Sequence, residues 1–219
     1  MRKKTDTIIF DMDGTLLDTL QDLADSVNYV LKNFGLPGRT LAEIRSFVGN
    51  GVRRLLELSV PGGETHPCFE EIFKEFREYY SVHCNDKTRA YDGVLPLLRK
   101  LAQEGYALAI VSNKPDSAVK DLNEIYFEGI VKTAIGEMEG VAKKPAPDMV
   151  EKALDMLGKT KESAVYIGDS DVDLLTAEKA GLPCISVLWG FREEEFLKEC
   201  GAQYFAKDPG EIPALIAKI

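Results

Sequence analysis

The chain has 219 residues, 45% of them apolar and 29% charged, with a formal net charge of −9. That size and apolar fraction suit one large domain, or one carrying a smaller insertion, with enough chain to bury a full core. The acidic balance offers no global field for nucleic acid or an anionic membrane, so neither is expected as a partner, and an anionic substrate needs local cations.

From the N-terminus, three basic residues precede an apolar run that Asp11 cuts short, too brief for a secretory signal, and no window approaches eighteen apolar residues. A cytoplasmic protein is expected. Cys68, Cys84, Cys184 and Cys200 show no C-x-x-C spacing and only His66 and His83 accompany them, so reduced thiols are expected.

Residues 7–10 (TIIF) read as a buried strand that ends on Asp11, Asp13 and Gly14. A second strand does not follow. Leu23, Val27, Val30, Leu31 and Phe34 have helical spacing, and further helices are expected over 40–47, 50–59 and 67–82, broken at Gly35-Leu36-Pro37-Gly38 and Pro61-Gly62-Gly63. Beyond them strands at 107–112, 133–136, 164–168, 184–188 and, more weakly, 203–206 alternate with amphipathic helices at 94–104, 147–157 and 172–180. Continuous apolar strands between such helices imply a parallel sheet covered on both faces. The expected fold is therefore α/β, a doubly wound parallel-sheet (Rossmann-like) core of residues 1–17 and 86–219, with an inserted small α-helical cap domain, residues 18–85, over the strand ends.

Open parallel sheets bind ligands beyond the carboxyl ends of their strands. Those ends carry Asp11, Asp13 and Gly14; Ser112, Asn113 and Lys114; Lys143-Lys144-Pro145; and Gly168-Asp169-Ser170-Asp171-Val172-Asp173. Each group alone is compatible with an ordinary turn or helix cap. Together, carboxylates converging on one edge would repel unless a cation held them, and with no soft or nitrogen ligand at hand that cation is Mg²⁺. Asp11 can then serve as metal ligand and as nucleophile towards phosphorus, and Asp13 as the acid and base of the two half-reactions. Lys144 and the Ser112 hydroxyl would balance charge on the transferring oxygens, helped by backbone N–H groups around residues 12–14.

The segments DMDGT, SN, KKPAP and GDSDVD, in this order, resemble the four motifs of the haloacid dehalogenase superfamily, and the helical insertion resembles its first class of cap. The resemblance implies Asp11 as nucleophile, Asp13 as acid/base, Ser112 and Lys144 as phosphate-binding groups, and Asp169 as the acidic magnesium ligand. Asp173 is implied as a second, outer-shell carboxylate, and Lys144 is chosen over Lys143 because the family's lysine directly precedes the proline. Asp11, Asp13, Asp169 and Asp173 are thus the expected metal residues, with Gly14 and Asn113 on the substrate phosphate.

Asp13 argues for phosphoryl transfer and against the founding dehalogenases, which lack it, and Gly168-Asp169 stands where β-phosphoglucomutases typically have Glu-Asp. DGTLLDT, Phe47-Val48-Gly49-Asn50-Gly51, Ser112-Asn113-Lys114 and Trp189-Gly190-Phe191-Arg192 are similar to bacterial phosphoglycolate phosphatases. The implied activity is Mg²⁺-dependent hydrolysis of a small phosphorylated metabolite through an aspartyl-phosphate, by a monomer or homodimer. The alternatives are a mutase or pyrophosphatase of the same superfamily or, from another class, a phosphoacceptor signalling module. In the cap, Arg53 at a helix N-terminus is the expected reader of a substrate carboxylate.

Overall fold

The computed structural model describes residues 5–219; residues 1–4, with the three basic residues noted above, lie outside the described residues. In chain order the elements are β1 (Thr7–Phe10), β2 (Leu17–Asp18), α1 (Leu20–Asn33), α2 (Leu41–Phe47), α3 (Val52–Ser59), α4 (Phe69–His83), β3 (Arg89–Ala90), α5 (Val94–Gln103), β4 (Ala107–Pro115), α6 (Asp116–Phe127), β5 (Thr133–Glu137), α7 (Asp148–Leu157), β6 (Ala164–Gly168), α8 (Asp171–Ala180), β7 (Cys184–Val187), α9 (Glu194–Glu199), β8 (Tyr204–Ala206) and α10 (Ile212–Ile216).

Six strands form a parallel sheet in the order β5-β4-β1-β6-β7-β8, while β2 and β3 make a separate two-stranded ribbon. The sheet is wound outward from β1 in both directions, so the strand order reverses where β1 meets β6, the place at which an open sheet leaves a crevice. Every residue of β1 is buried. Its side chains alternate: Ile8 and Phe10 join the apolar layer of Leu97, Leu98, Leu101, Val119 and Leu122 from α5 and α6, whereas Ile9 joins Met149, Val150, Ala153 and Ala177 from α7 and α8. A helical layer on each face explains why these strands are apolar throughout.

Asp6 stitches the opposite, amino edge of the sheet. Its amide donates to Ser163 O at 2.9 Å and its carbonyl accepts from Ala107 N at 2.8 Å. Its carboxylate accepts from Thr7 Oγ1 at 2.6 Å, Ser163 Oγ at 2.9 Å and Lys159 Nζ at 2.8 Å.

The chain divides into two compact units, Met1–Leu17 with Ala90–Ile219 and Asp18–Arg89. In the second, α1 buries Leu23, Val27, Val30 and Leu31, and α4 buries Phe69, Ile72, Phe76 and Tyr80. Thr40 and Glu43 form a complete capping box at the start of α2. The boundary at Arg89 lies beyond the one expected at residue 85, because the Asp22 carboxylate on α1 accepts from the amides of Lys87 and Thr88 and from the Thr88 hydroxyl. Those bonds tie residues 87 and 88 to the helical unit.

β4 also runs past its expected end at Ser112 to Pro115, with a register irregularity between Val111 and Pro115. The extension is polar, which an apolar-run criterion cannot see. None of the four cysteines is in a disulfide, and among the described residues no helix is long and apolar enough to cross a membrane.

Candidate active site

Asp11 follows β1 directly, and Asp169 follows β6, the strand beside it. Ser170 then caps α8: its side chain accepts from Asp173 N, and Asp173 Oδ2 accepts in return from Ser170 N at 3.1 Å and Ser170 Oγ at 2.6 Å, and also from Asp169 N at 3.2 Å. Three buried carboxylates, Asp11, Asp169 and Asp173, thereby bring oxygens within 4.8 Å of one another.

Lys144 enters this group from the 143–146 loop. Its Nζ is 2.8 Å from Asp11 Oδ1, 2.8 Å from Asp173 Oδ1 and 3.2 Å from Tyr166 Oη, with only 2% of the side chain exposed. Asn113 on β4 holds the loop, donating to Lys144 O at 2.9 Å and accepting from Lys144 N at 2.8 Å. Lys143 turns elsewhere, to Glu137 Oε1 at 3.6 Å. Ser112 Oγ accepts from the Lys114 amide at 3.3 Å, at the end of the strand that neighbours β1.

The segment 189–192 clamps the other side. Phe191 N donates to Asp169 Oδ2 at 2.7 Å, Trp189 Nε1 to Thr15 O at 3.0 Å and Thr15 Oγ1 to Asp169 Oδ1 at 3.4 Å. The packing admits no side chain at two points: a Cβ on Gly14 (φ 87°) or on Gly190 would overlap the Asp169 carboxylate.

The Asp13 carboxylate is outside the three-carboxylate group. Its Oδ1 accepts from Lys114 Nζ at 3.1 Å, in a pair whose side chains are 14% and 1% exposed. Expected among the metal residues, the Asp13 side chain is here paired with the buried Lys114 ammonium instead of standing within the group of Asp11, Asp169 and Asp173.

Burial, then the charge of Asp173, pushes the Asp11 carboxyl well above its ordinary range. The same causes push Asp169 up to about 7. Burial works to lower Lys144, but Asp11 and Asp173 more than offset it and keep the ammonium protonated. With all four ionised, the carboxylates Asp11, Asp13, Asp169 and Asp173 outnumber the ammoniums of Lys114 and Lys144 by two; burial and that shortfall of positive charge together push Asp11 and Asp169 up, and one divalent cation would close the shortfall. The donors are all hard oxygens, which fits Mg²⁺, and the three-carboxylate cluster could hold it.

Arg53 is committed within the helical unit. Its Nε is 2.7 Å from Glu64 Oε1 and its Nη2 2.5 Å from Glu70 Oε1, with the guanidinium 5.2 and 5.1 Å from the ring centres of Phe69 and Phe73. Arg54 pairs with Glu57 at 2.6 Å. Glu70 and then Glu64 hold the Arg53 guanidinium above its ordinary range. Expected to read a substrate carboxylate, Arg53 is engaged by two carboxylates of its own unit. His83 is likewise occupied, with Nδ1 2.7 Å from Asp86 Oδ2 and its ring stacked on Tyr79 at 4.1 Å.

Lys114, Thr15 and the Phe191 amide also belong to the site; they lie in the expected strand-end and loop segments but without a specific role expected of them, and Tyr166 is not expected there at all. For Lys114 a signal existed: residues two apart on a strand share a face, which puts it with Ser112. Tyr166 gave none, since it reads as one more apolar strand residue.

A family described as haloacid dehalogenase-like hydrolase matches residues 8–187. A phosphoglycolate phosphatase of Aquifex aeolicus is 34% identical over 189 residues, spanning 84% of this chain and 85% of its own length. One of Xanthomonas campestris pv. campestris is 33% identical over 186 residues, 84% of each. A solved structure from Lactobacillus delbrueckii subsp. bulgaricus, described as a candidate phosphoglycolate phosphatase, superposes with a TM-score of 0.93 at 35% identity, covering 98% of this chain and 99% of that one.

Proposed function

The chain belongs to the haloacid dehalogenase-like hydrolase family, and on that premise we propose that it is a Mg²⁺-dependent phosphatase acting on a small phosphorylated acid of the phosphoglycolate kind. The observation that carries the reading is Lys144 Nζ held 2.8 Å from both Asp11 and Asp173 beside an all-oxygen cluster at the carboxyl edge of the sheet. Its substrate class is taken from the named relatives.

In this mechanism Asp11 attacks phosphorus and the bond to the leaving oxygen breaks, the alkoxide taking its proton from Asp13. Asp13 then accepts a proton from water, whose oxygen attacks the aspartyl-phosphate, releasing phosphate and restoring the Asp11 carboxylate. Lys144 and the Ser112 hydroxyl balance charge on the phosphoryl oxygens, and the tight turn at Gly14 lets backbone N–H groups approach them. Asp11 and Asp169 would ligate Mg²⁺ directly. Asp173, whose oxygens already bind Lys144, Ser170 and two amides, would orient the others. Bound there, the cation supplies the missing positive charge and keeps Asp11 ionised as a nucleophile.

The test is a phosphate-release screen across small phosphorylated acids, sugar phosphates, nucleotides and pyrophosphate, with Mg²⁺ and with EDTA. Many turnovers on phosphorylated acids, abolished by EDTA and by Asp11→Asn, are expected. Near-normal turnover in Asp11→Asn would sink the mechanism; one phosphate per chain would point to a phosphoacceptor module; preference for pyrophosphate or a sugar phosphate would overturn the substrate class.

A further inference from the structure

We propose that Lys114 is the positioning residue of the Asp13 carboxylate, holding it apart from the cation cluster so that its free oxygen can serve the leaving group and the attacking water. The inference rests on the acid/base reading of Asp13.

Two independent constraints converge on this pair. The backbone of Lys114 is fixed: it lies within the register irregularity of β4, its amide donates to Ser112 Oγ at 3.3 Å, and β5 packs so closely that a Cβ on Gly136 would stand 2.6 Å from the Lys114 carbonyl oxygen. The backbone of Asp13 is fixed as well, by its bridge to Leu17 and by the next residue's hydrogen bond, Gly14 N to Leu17 O at 2.9 Å. What remains adjustable is the Asp13 side chain, two residues from Asp11 on a turn that faces three other carboxylates. A bound divalent cation would attract that carboxylate too. An ammonium only 1% exposed cannot relax into water, so the ion pair at 3.1 Å sets which way Asp13 turns.

The pair divides the labour of the two lysines. Lys144 sits on the nucleophile side, between Asp11 and Asp173, and Lys114 sits on the proton-transfer side with Asp13. A carboxylate recruited by the cation would be poorly placed to protonate an alkoxide about one bond length outside the transferring group. Removal of the Lys114 charge should therefore slow proton transfer while leaving the attack by Asp11 in place.

The experiment compares wild type, Lys114→Met, Lys114→Arg and Asp13→Asn on 2-phosphoglycolate and on p-nitrophenyl phosphate, with rapid-mixing detection of nitrophenolate. Nitrophenolate leaves without a proton, so the first step survives loss of the acid but the second still needs the base. Lys114→Met is expected to lose roughly 10- to 100-fold in kcat on phosphoglycolate with little change in KM. On p-nitrophenyl phosphate it should give a burst near one nitrophenolate per chain before slow turnover, and Lys114→Arg should recover most of the rate. A rise in KM without a burst, or wild-type rates in Lys114→Met, would overturn the assignment. Asp13→Asn separates the two ideas: without a burst there, the acid/base reading itself fails, whereas a burst in Asp13→Asn but not in Lys114→Met removes the role of Lys114 alone. If Lys114→Met does not fold, Lys114→Gln carries the same comparison.

Discussion

Lys144 Nζ and Asp173 Oδ1 are 2.8 Å apart, with 2% and 0% of their side chains exposed, so this ion pair lies beyond the reach of bulk water. Lys144 is also the cation of Asp11, and its loss would leave three buried carboxylates facing one another. Breaking a buried pair by deleting one partner costs about 3–5 kcal/mol, most of it the uncompensated charge left behind. Lys144→Met is expected to show that loss in its urea midpoint, to have no measurable turnover, and to regain part of its stability when MgCl₂ is added.

The same charge shortfall predicts that the metal-free protein is stabilised by Mg²⁺ well beyond any effect of ionic strength. A ligand at one hundred times its Kd adds about 2.7 kcal/mol, which for a chain of this size raises Tm by about 5–10 °C. Differential scanning fluorimetry with MgCl₂ against NaCl of equal ionic strength reads this directly. Asp169→Asn should abolish the shift, and an equal rise in both salts would count against a cation site.

Gly190→Ala addresses the 189–192 clamp. The new Cβ would overlap the Asp169 side chain and the Gly14 carbonyl, so the segment must move and release the Phe191 N–H bond to Asp169. Overpacking of this kind costs about 1–3 kcal/mol. Turnover is expected to fall more than stability alone explains, and to recover partly at high Mg²⁺ because the displaced carboxylate is a ligand; full activity in the variant would show that the clamp is dispensable.

Asp6 gives a pH dependence far from the chemistry. The hydrogen bond from Lys159, then that from Thr7, holds its carboxyl below the usual range. A depressed pKa contributes stability that is fully present above the unfolded value, 3.8, and is lost as pH falls through the folded value. Partial exposure screens the ion pair, so Asp6→Asn should be about 1 kcal/mol less stable at pH 7, with the gap closing below pH 3.8. Urea titrations of both proteins from pH 7 to pH 3 check the sign.

Arg53→Ala separates structure from recognition. With its guanidinium held by Glu64 and Glu70, its loss should change turnover on phosphoglycolate and on p-nitrophenyl phosphate to within about twofold of each other. A selective KM rise for the carboxylated substrate would restore the substrate-reading role.

What could be read from the chain alone follows from what makes a local pattern. The strands at 7–10 and 164–168 are legible because burial on both faces requires unbroken apolar runs, and the helices at 94–104 and 147–157 because a single buried stripe imposes a 3.6-residue period. The polar end of β4 breaks that rule. Asn113 and Lys114 sit buried at the end of a strand with partners in the backbone of Lys144 and the carboxylate of Asp13, which depends on residues 13 and 144 arriving there. The ribbon of β2 and β3 is two residues on each side, too short for any periodicity. The grouping of Asp11, Asp169 and Asp173 could be anticipated from strand-end positions, since parallel strands collect their carboxyl ends on one edge. The direction of the Asp13 side chain could not, because a buried lysine a hundred residues away decides it. For Arg53 the sequence context suggests an anion site, while its pairing with Glu64 and Glu70 could not be read from it, because the fold brings together residues 11 and 17 positions apart.

The place of β1 at the middle of the sheet has a consequence for synthesis on the ribosome. The strand leaves the exit tunnel before either of its neighbours, which are encoded far downstream, at residues 107–115 and 164–168. Until the second of these emerges, the nascent chain carries an apolar strand with an unpaired edge, the type of surface that invites misassociation. The helical segment 18–89 is contiguous and can complete its own packing during that wait. The residues that carry the proposed chemistry meet only once residues 169–173 have been made, so a nascent chain shorter than that displays no working site.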